Sequence, residues 1–251
     1  MQSYKADLHI HTLLSPCGDL SMSPINIVNK AVEMGLRLIG IADHNSTRQA
    51  PLIQKMGQKQ GILVLLGCEL TTKEEAHCLA FFETEEQRKA FQKILDESLP
   101  DIPNNEDKFG YQIVVDEAEE IVYTEERLLW SALPFSLDEL YTLVHEYQGL
   151  FIPAHIDKPS TSIMSQLGFV PPDIKADALE LSKFTSPEMF IKRFAYLKKF
   201  SFFQSSDAHI ESLIGETYSW FLMENLSFSE LRKAFRGEDG RRVYCGTKCM
   251  D

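Results

Sequence analysis

The chain opens on a run in which residues able to do chemistry alternate with apolar ones, Asp7-Leu8-His9-Ile10-His11. Tyr4, Ala6, Leu8 and Ile10 fall on one parity, and Asp7, His9 and His11 on the other. On a strand, side chains two apart point the same way, so His9 and His11 are expected side by side on one face. Two neutral imidazoles at that spacing make half of a divalent-metal site. A lone His-x-His also arises by chance on a polar strand face, so its meaning depends on the remaining histidines.

Six of the seven histidines lie at or near the ends of apolar, strand-like runs. His44 follows Leu38 to Asp43, His77 opens the run to Phe82, His155 follows Leu150 to Ala154, and His209 follows Phe202 to Ala208. Glu69 closes Ile62 to Cys68 in the same manner. His145, inside the helical stretch 139–147, is the exception and reads as a surface or packing residue. Ligand types gathered at the ends of many strands describe a site assembled from separate segments. Barrel enzymes carry their chemistry at the C-terminal strand ends.

In this order, His9-Ile10-His11, Asp43-His44, Gly67-Cys68-Glu69, His77, His155 and Ser206-Asp207-Ala208-His209 resemble the successive motifs of the PHP (polymerase and histidinol phosphatase) superfamily. The likeness extends over residues 7–209, and the ordered series with its terminal Ser-Asp-Ala-His makes it specific. In flavour the chain is similar to the small stand-alone PHP phosphoesterases, which act on nucleoside monophosphates or bisphosphates. The resemblance implies a distorted seven-stranded TIM-like barrel, (β/α)7, with the metal site at the C-terminal strand ends. It also implies the ligand sets: His9, His11, Glu69 and Asp207 in one site, and Glu69 bridging to a second with His77 and His155. Asp19, His44 and His209 would form a third. Two to three divalent ions follow. The mixture of imidazole nitrogen and carboxylate oxygen suits Zn²⁺, Mn²⁺ or Fe²⁺. Asp19 stands where many relatives carry histidine, which would weaken the third site or tilt it toward Mn²⁺ or Mg²⁺. Asp43 is expected as ligand or as the partner that holds an imidazole in its binding tautomer, and Asp7 as a structural residue.

Clustered cations suit phosphate-ester hydrolysis. They bring hydroxide within reach near neutral pH and clamp phosphoryl oxygens as charge moves to the leaving group. The chain has no Gly-x-Ser-x-Gly and no Walker loop, so no separate nucleophile is expected. Lys158 and Lys183, and less strongly Arg48, are placed to complete a phosphate site. The expected activity is a metal-dependent phosphoesterase acting on a small phosphorylated metabolite, including a nucleotide. Histidinol-phosphate phosphatase is the alternative within the class. A non-catalytic metal-binding module and an amidohydrolase are the alternatives outside it; the latter would want a bridging lysine after a middle strand.

Length and composition agree. A chain of 251 residues suits one barrel domain over 1–251, and 44% apolar residues supply its core. A formal charge of −12 reads against duplex nucleic acid, which normally meets a basic surface. There is no long apolar run or charged-then-apolar leader, so a cytoplasmic protein without a membrane span is expected. Five cysteines without a regular framework fit reduced thiols. Cys68 and Cys78 read as packing residues facing away from Glu69 and His77, and Cys245-x3-Cys249 as a tail without a second pair.

The elements that must position these residues alternate. Strands are predicted at about 4–10, 37–42, 62–67, 77–82, 150–154, 177–181, 201–205 and 218–223. Helices are predicted between them, capped by Ser23-Pro24, by Asn45, Ser46 or Thr47, by Ser136-x-x-Glu139, by Ser186-Pro187 (running to about Lys198) and by Ser227-x-x-Glu230. This alternation predicts a right-handed parallel barrel. Residues 98–136 break the rhythm, with an acidic helix over 116–129, and read either as an insertion beside the site mouth or as a solvated helix on the barrel flank.

Overall fold

A computed structural model of the chain describes residues 1–246; Cys249 lies outside them. The chain runs β1 (Gln2–Ile10), α1 (Pro24–Glu33), β2 (Leu38–Ile41), α2 (Ala50–Lys59), β3 (Leu63–Thr71), β4 (His77–Phe82), α3 (Glu85–Ser98) and α4 (Glu106–Phe109). It continues through β5 (Ile113–Val115), β6 (Ile121–Thr124), α5 (Leu137–Glu146), β7 (Leu150–Pro153), α6 (Ile163–Leu167), β8 (Leu179–Leu181) and α7 (Pro187–Arg193). β9 (Phe202–Gln204), β10 (Ser219–Met223), α8 (Phe228–Arg236) and β11 (Arg242–Cys245) complete it.

Seven strands form one curled sheet in the order β11-β10-β1-β2-β3-β4-β7. The parallel pair β8–β9 bridges the open side. Asp177 N donates to Phe151 O and Ile156 N to Glu180 O (both 2.9 Å) beside β7, while Ala208 N donates to His9 O (3.2 Å) and His11 N to Ala208 O (3.0 Å) against β1. The expected distorted TIM-like barrel is therefore present, ringed by β1, β2, β3, β4, β7, β8 and β9. Leu8, Leu38, Leu65, Phe81, Ile152 and Phe203 fill its interior. Outside, α1 and α2 cover β1 to β3, and α3 and α5 cover β3, β4 and β7, each by an apolar stripe.

The structure departs from the sequence reading at four places. β4 is antiparallel to both neighbours, so the barrel is not wholly parallel. That reversal is what brings the first residue of β4, His77, opposite Thr71 at the far end of β3. The stretch 116–129 is not a helix: Asp116 Oδ1 accepts from Ala118 N (2.8 Å) and Glu120 N (3.0 Å), turning β5 back into β6. Glu119 takes φ 62° in that turn, and the flanking Ile113-Val114-Val115 and Ile121-Val122 carry the β-branched bias that wins over the acidic composition. α2 starts at Ala50 rather than after Asn45, whose side chain instead donates to Leu129 O (2.7 Å) and Ser131 O (2.8 Å). α7 ends at Arg193 instead of near 198.

Candidate metal centre

Six histidines, Glu69 and Asp207 converge at one end of the barrel, where β1, β2, β3, β7 and β9 terminate and β4 begins. His9 and His11 do lie on one face, with ring centroids 5.1 Å apart and Nε2 atoms 3.2 Å apart. Glu69 sits at the middle of the cluster. Its Oε1 meets His77 Nδ1 at 3.0 Å, His155 Nε2 at 3.1 Å and His9 Nε2 at 3.3 Å, and its Oε2 meets His44 Nδ1 at 3.2 Å and His11 Nε2 at 3.5 Å. Asp207 Oδ1 lies 3.4 Å from His9 Nε2 and 3.3 Å from His11 Nε2. His209 stacks on His11 with centroids 4.0 Å apart. Within this cluster, His9, His11 and Glu69, then His44, Glu69 and His77, then His11, His44 and His209, each bring ligand atoms together closely enough to share an ion.

Second partners decide which ring nitrogen is free. His9 Nδ1 donates to Glu180 Oε2 (3.0 Å), which also accepts from His155 N (2.9 Å). Ser15 Oγ donates to Asp43 (2.8 Å), so it accepts from His11 Nδ1 (2.9 Å) and from His44 N (3.2 Å). His209 Nδ1 donates to the Asp207 carbonyl (2.9 Å). With Nδ1 committed, His9 and His11 turn two Nε2 lone pairs toward each other. That pairing is repulsive unless a cation shares them. His44 Nδ1, although 3.2 Å from Glu69 Oε2, is not aligned for a hydrogen bond and is likewise buried without a partner. The residues present fit divalent ions.

The electrostatics agree. Burial opposes charge on Glu69, yet the imidazoles of His77 and His9 outweigh it and hold its carboxyl well below the usual range. Burial likewise opposes charge on Asp207, and His9 and His11 keep it ionised. Burial, helped by His209, pulls His11 down to about 3, and burial keeps His44 neutral too. At His9 burial also disfavours charge, but Glu180, Glu69 and Asp207 outweigh it, so the surroundings favour a cation at that ring. Neutral rings at His11 and His44 beside the ionised carboxylates of Glu69 and Asp207 are the ligand states a metal requires. His155 (φ 28°) and Asp207 (φ 52°) hold left-handed backbone conformations at the loop starts that aim these ligands.

Other residues singled out in the sequence are placed as follows. Asp19 is exposed, and its carboxylate accepts from Ser21 N (2.8 Å) in a local turn, so the structure does not bring it into the cluster. Asp43 is fully buried and accepts from Thr12 N (2.7 Å), Thr12 Oγ1 (2.8 Å) and Ser15 Oγ (2.8 Å), with burial raising its pKa to about 6. Asp7 is buried and accepts from Ser206 N (3.0 Å) and Gly215 N (2.8 Å), tying the β9 loop to β1. Lys158 pairs with Asp207, and Lys158 and Lys183 line the same 200 Å³ cavity at the cluster's edge. Arg48 turns away, into a two-pronged pair with Asp96 (2.7 Å each) and over the Tyr123 ring. His145 pairs with Asp177 (3.2 Å) away from the centre. Cys68 and Cys78 pack in the outer core. Glu180 and Ser15 carry roles the sequence reading missed. A lone carboxylate inside Ala178-Leu179-Glu180-Leu181 was the available signal for Glu180, whereas nothing distinguishes Ser15.

Comparison with known proteins bears on the same residues. The family model described as PHP domain matches residues 7–170. YqxK of Bacillus subtilis (strain 168) is 26% identical, over 97% of this chain and 64% of its own length. The lesion-specific endonuclease PfuEndoQ of Pyrococcus furiosus superposes with a TM-score of 0.71 at 24% identity, covering 96% of this chain and 58% of that one. A Bacteroides vulgatus two-domain protein containing a predicted PHP-like metal-dependent phosphoesterase superposes with a TM-score of 0.59 at 16% identity, covering 97% of this chain and 65% of that one. This chain thus spans about three fifths of the length of these relatives. One expectation is overturned. Endonuclease Q in complex with a 27-mer duplex substrate, an abasic lesion at its active site, shares the fold (TM-score 0.70, 24% identity, 96% of this chain and 58% of that one). A net charge of −12 therefore does not exclude duplex nucleic acid from this fold. With motif series, ligand cluster and family match on one set of residues, the chain belongs to the PHP-domain family of metal-dependent hydrolases.

Proposed function

We propose that the chain is a cytoplasmic phosphoesterase that hydrolyses a phosphate ester of a nucleotide, free or within a nucleic acid. The observation that carries this reading is Glu69, one carboxylate within 3.5 Å of five imidazoles, with Asp207 and its Lys158 partner at the edge. His9, His11, Glu69, Asp207, His44, His77, His155 and His209 would hold two to three divalent ions, with Zn²⁺, Mn²⁺ or Fe²⁺ matching the donor set and Mg²⁺ the harder alternative. Bound there, such ions supply activation of water near neutral pH and neutralise developing phosphoryl charge. Asp207 sets the Lys158 ammonium at the rim of the cluster, where it would meet a phosphoryl oxygen of the substrate. Lys183, exposed on the same cavity, adds a second cation. Glu180 holds His9 directly, and Asp43 holds Ser15, which in turn accepts from His11: in this way they fix the tautomers of the two rings. Residues 98–136 are an insertion in the single barrel domain and wall one side of the site.

The nucleic-acid part of this reading is supported by the likeness to endonuclease Q. A small metabolite, histidinol phosphate included, is the second reading, favoured by the acidic chain. The test is phosphate or strand release by metal-loaded protein from nucleoside monophosphates and bisphosphates, histidinol phosphate, and duplex DNA with an abasic site, each with and without chelator. The expected result is chelator-sensitive hydrolysis of a nucleotide ester, lost in Asp207→Ala. Hydrolysis of histidinol phosphate alone would move the substrate to the second reading, and release that survives the chelator or Asp207→Ala would overturn the site.

A further inference from the structure

Residues 98–136 supply half the lining of a second cavity at the metal centre, about 250 Å³ in volume. Phe109, Leu128, Trp130 and Ala132 come from this segment, and they face Thr71 and His77. The indole of Trp130 lies nearly parallel to the His44 ring, with centroids 5.8 Å apart and an interplanar angle of 17°. Phe109 meets the same indole edge-on, with centroids 6.2 Å apart and an angle of 84°. Trp130 is nevertheless 39% exposed, far more than a core tryptophan would be. Thr71 and His77 border this cavity, and the Thr71 hydroxyl is buried there without a hydrogen-bond partner.

A flat indole held at the reaction centre, apolar walls from Phe109, Leu128 and Ala132 and a polar edge of Thr71, Glu75 and Thr161 together describe a receptor for a planar ring with hydrogen-bonding edges. Packing alone does not account for it, since an indole serving only as a lid over His44 would need neither the cavity nor the exposure. We infer that this cavity is a subsite for the nucleobase of the substrate, with Trp130 as its stacking surface and Thr71 Oγ1 as a hydrogen-bonding partner. The inference rests on the nucleotide reading above and gives the segment 98–136 a function, base binding. Stacking on a tryptophan tolerates every base, because each presents a π-face; selectivity would come from the polar edge.

The experiment separates this subsite from the phosphoesterase activity. The chain has two tryptophans, and Trp220 sits in the β1–β10 ladder opposite Lys5. Trp220→Phe therefore leaves Trp130 as the sole indole reporter. Adenosine and thymidine, which carry no phosphate, should quench its fluorescence saturably, and ribose should not. In parallel, Trp130→Leu should lower by about tenfold the ratio of kcat/KM for adenosine monophosphate over that for ribose 5-phosphate, the effect of losing one base–aromatic stack. Trp130→Phe should restore most of it, and metal content should match in both variants. Absence of quenching, or an unchanged ratio, overturns the base subsite while leaving phosphate release intact as evidence for the esterase. Saturable quenching without hydrolysis of any ester would uphold the subsite and overturn the esterase.

Discussion

His9 shows how a single side chain is prepared for a cation. Its Nδ1 is held by Glu180 at 3.0 Å, and its Nε2 faces Glu69, His11 and Asp207 within 3.4 Å. Replacing the carboxylate by an amide of the same size removes its charge and one of the two acceptor oxygens shared between His9 Nδ1 and His155 N, and so loosens the hold on the ring. Glu180→Gln is expected to lower metal affinity or turnover about 10- to 100-fold, the usual effect of losing such a partner, with a circular-dichroism spectrum like that of wild type. Unchanged metal affinity would mean that Glu180 serves only to anchor His155 N. The ligands were legible in the sequence because histidine is scarce and six of its seven copies sit at strand ends. Their partners were not. Ser15 lies in a loop whose path to Asp43 only the fold defines, and Asp19, which stands where many relatives carry histidine, has its carboxylate spent on Ser21 N.

At the scale of elements, close approach of strands sets what the sequence tolerates. A Cβ on Gly67 of β3 would lie 2.2 Å from Phe81 Cδ1 and 2.5 Å from the Ala80 carbonyl oxygen on β4. Gly67→Ala is therefore expected to destabilise the fold by about 1–3 kcal/mol through overpacking, read as a lower denaturant midpoint at unchanged slope. The α8–β11 corner carries a pH signature. Arg241 Nε donates to Glu230 at 3.0 Å and lowers its pKa from the ordinary 4.5 to about 2. A carboxylate whose pKa is lowered in the folded state contributes stability above its unfolded value and loses it as pH falls through the folded one. The stability gap between wild type and Glu230→Gln should thus be constant above about pH 4.5 and close as pH approaches 2. A gap that widens on acidification would contradict the pairing. Periodicity revealed strands and helices well where one apolar stripe decided the matter, as in α1 and α8. It could not reveal strand direction, so β4 was read as parallel. It also mistook the β5–β6 hairpin for a helix, because an Asp116 turn decided against the acidic composition.

For the whole molecule, the barrel brings six histidines, Glu69 and Asp207 from six strand ends and loops into one cluster of a few ångströms, within a chain of net charge −12. Net charge was a poor guide to partners, since it sums over the surface while a substrate meets only the mouth. There Lys158, Lys183 and Trp130 stand beside the cluster. A centre of this kind binds ions in the folded state alone, so removing them should lower the melting temperature as well as activity. The measurement that tests the central claim most directly is metal content per chain, by elemental analysis after equilibration with Mn²⁺ or Zn²⁺ and desalting, for wild type and His9→Ala side by side. The account predicts two to three ions in the wild type and fewer in the variant, with hydrolysis lost in step. Wild-type protein that retains no divalent ion, or a His9→Ala variant that keeps the full complement and full activity, would contradict it.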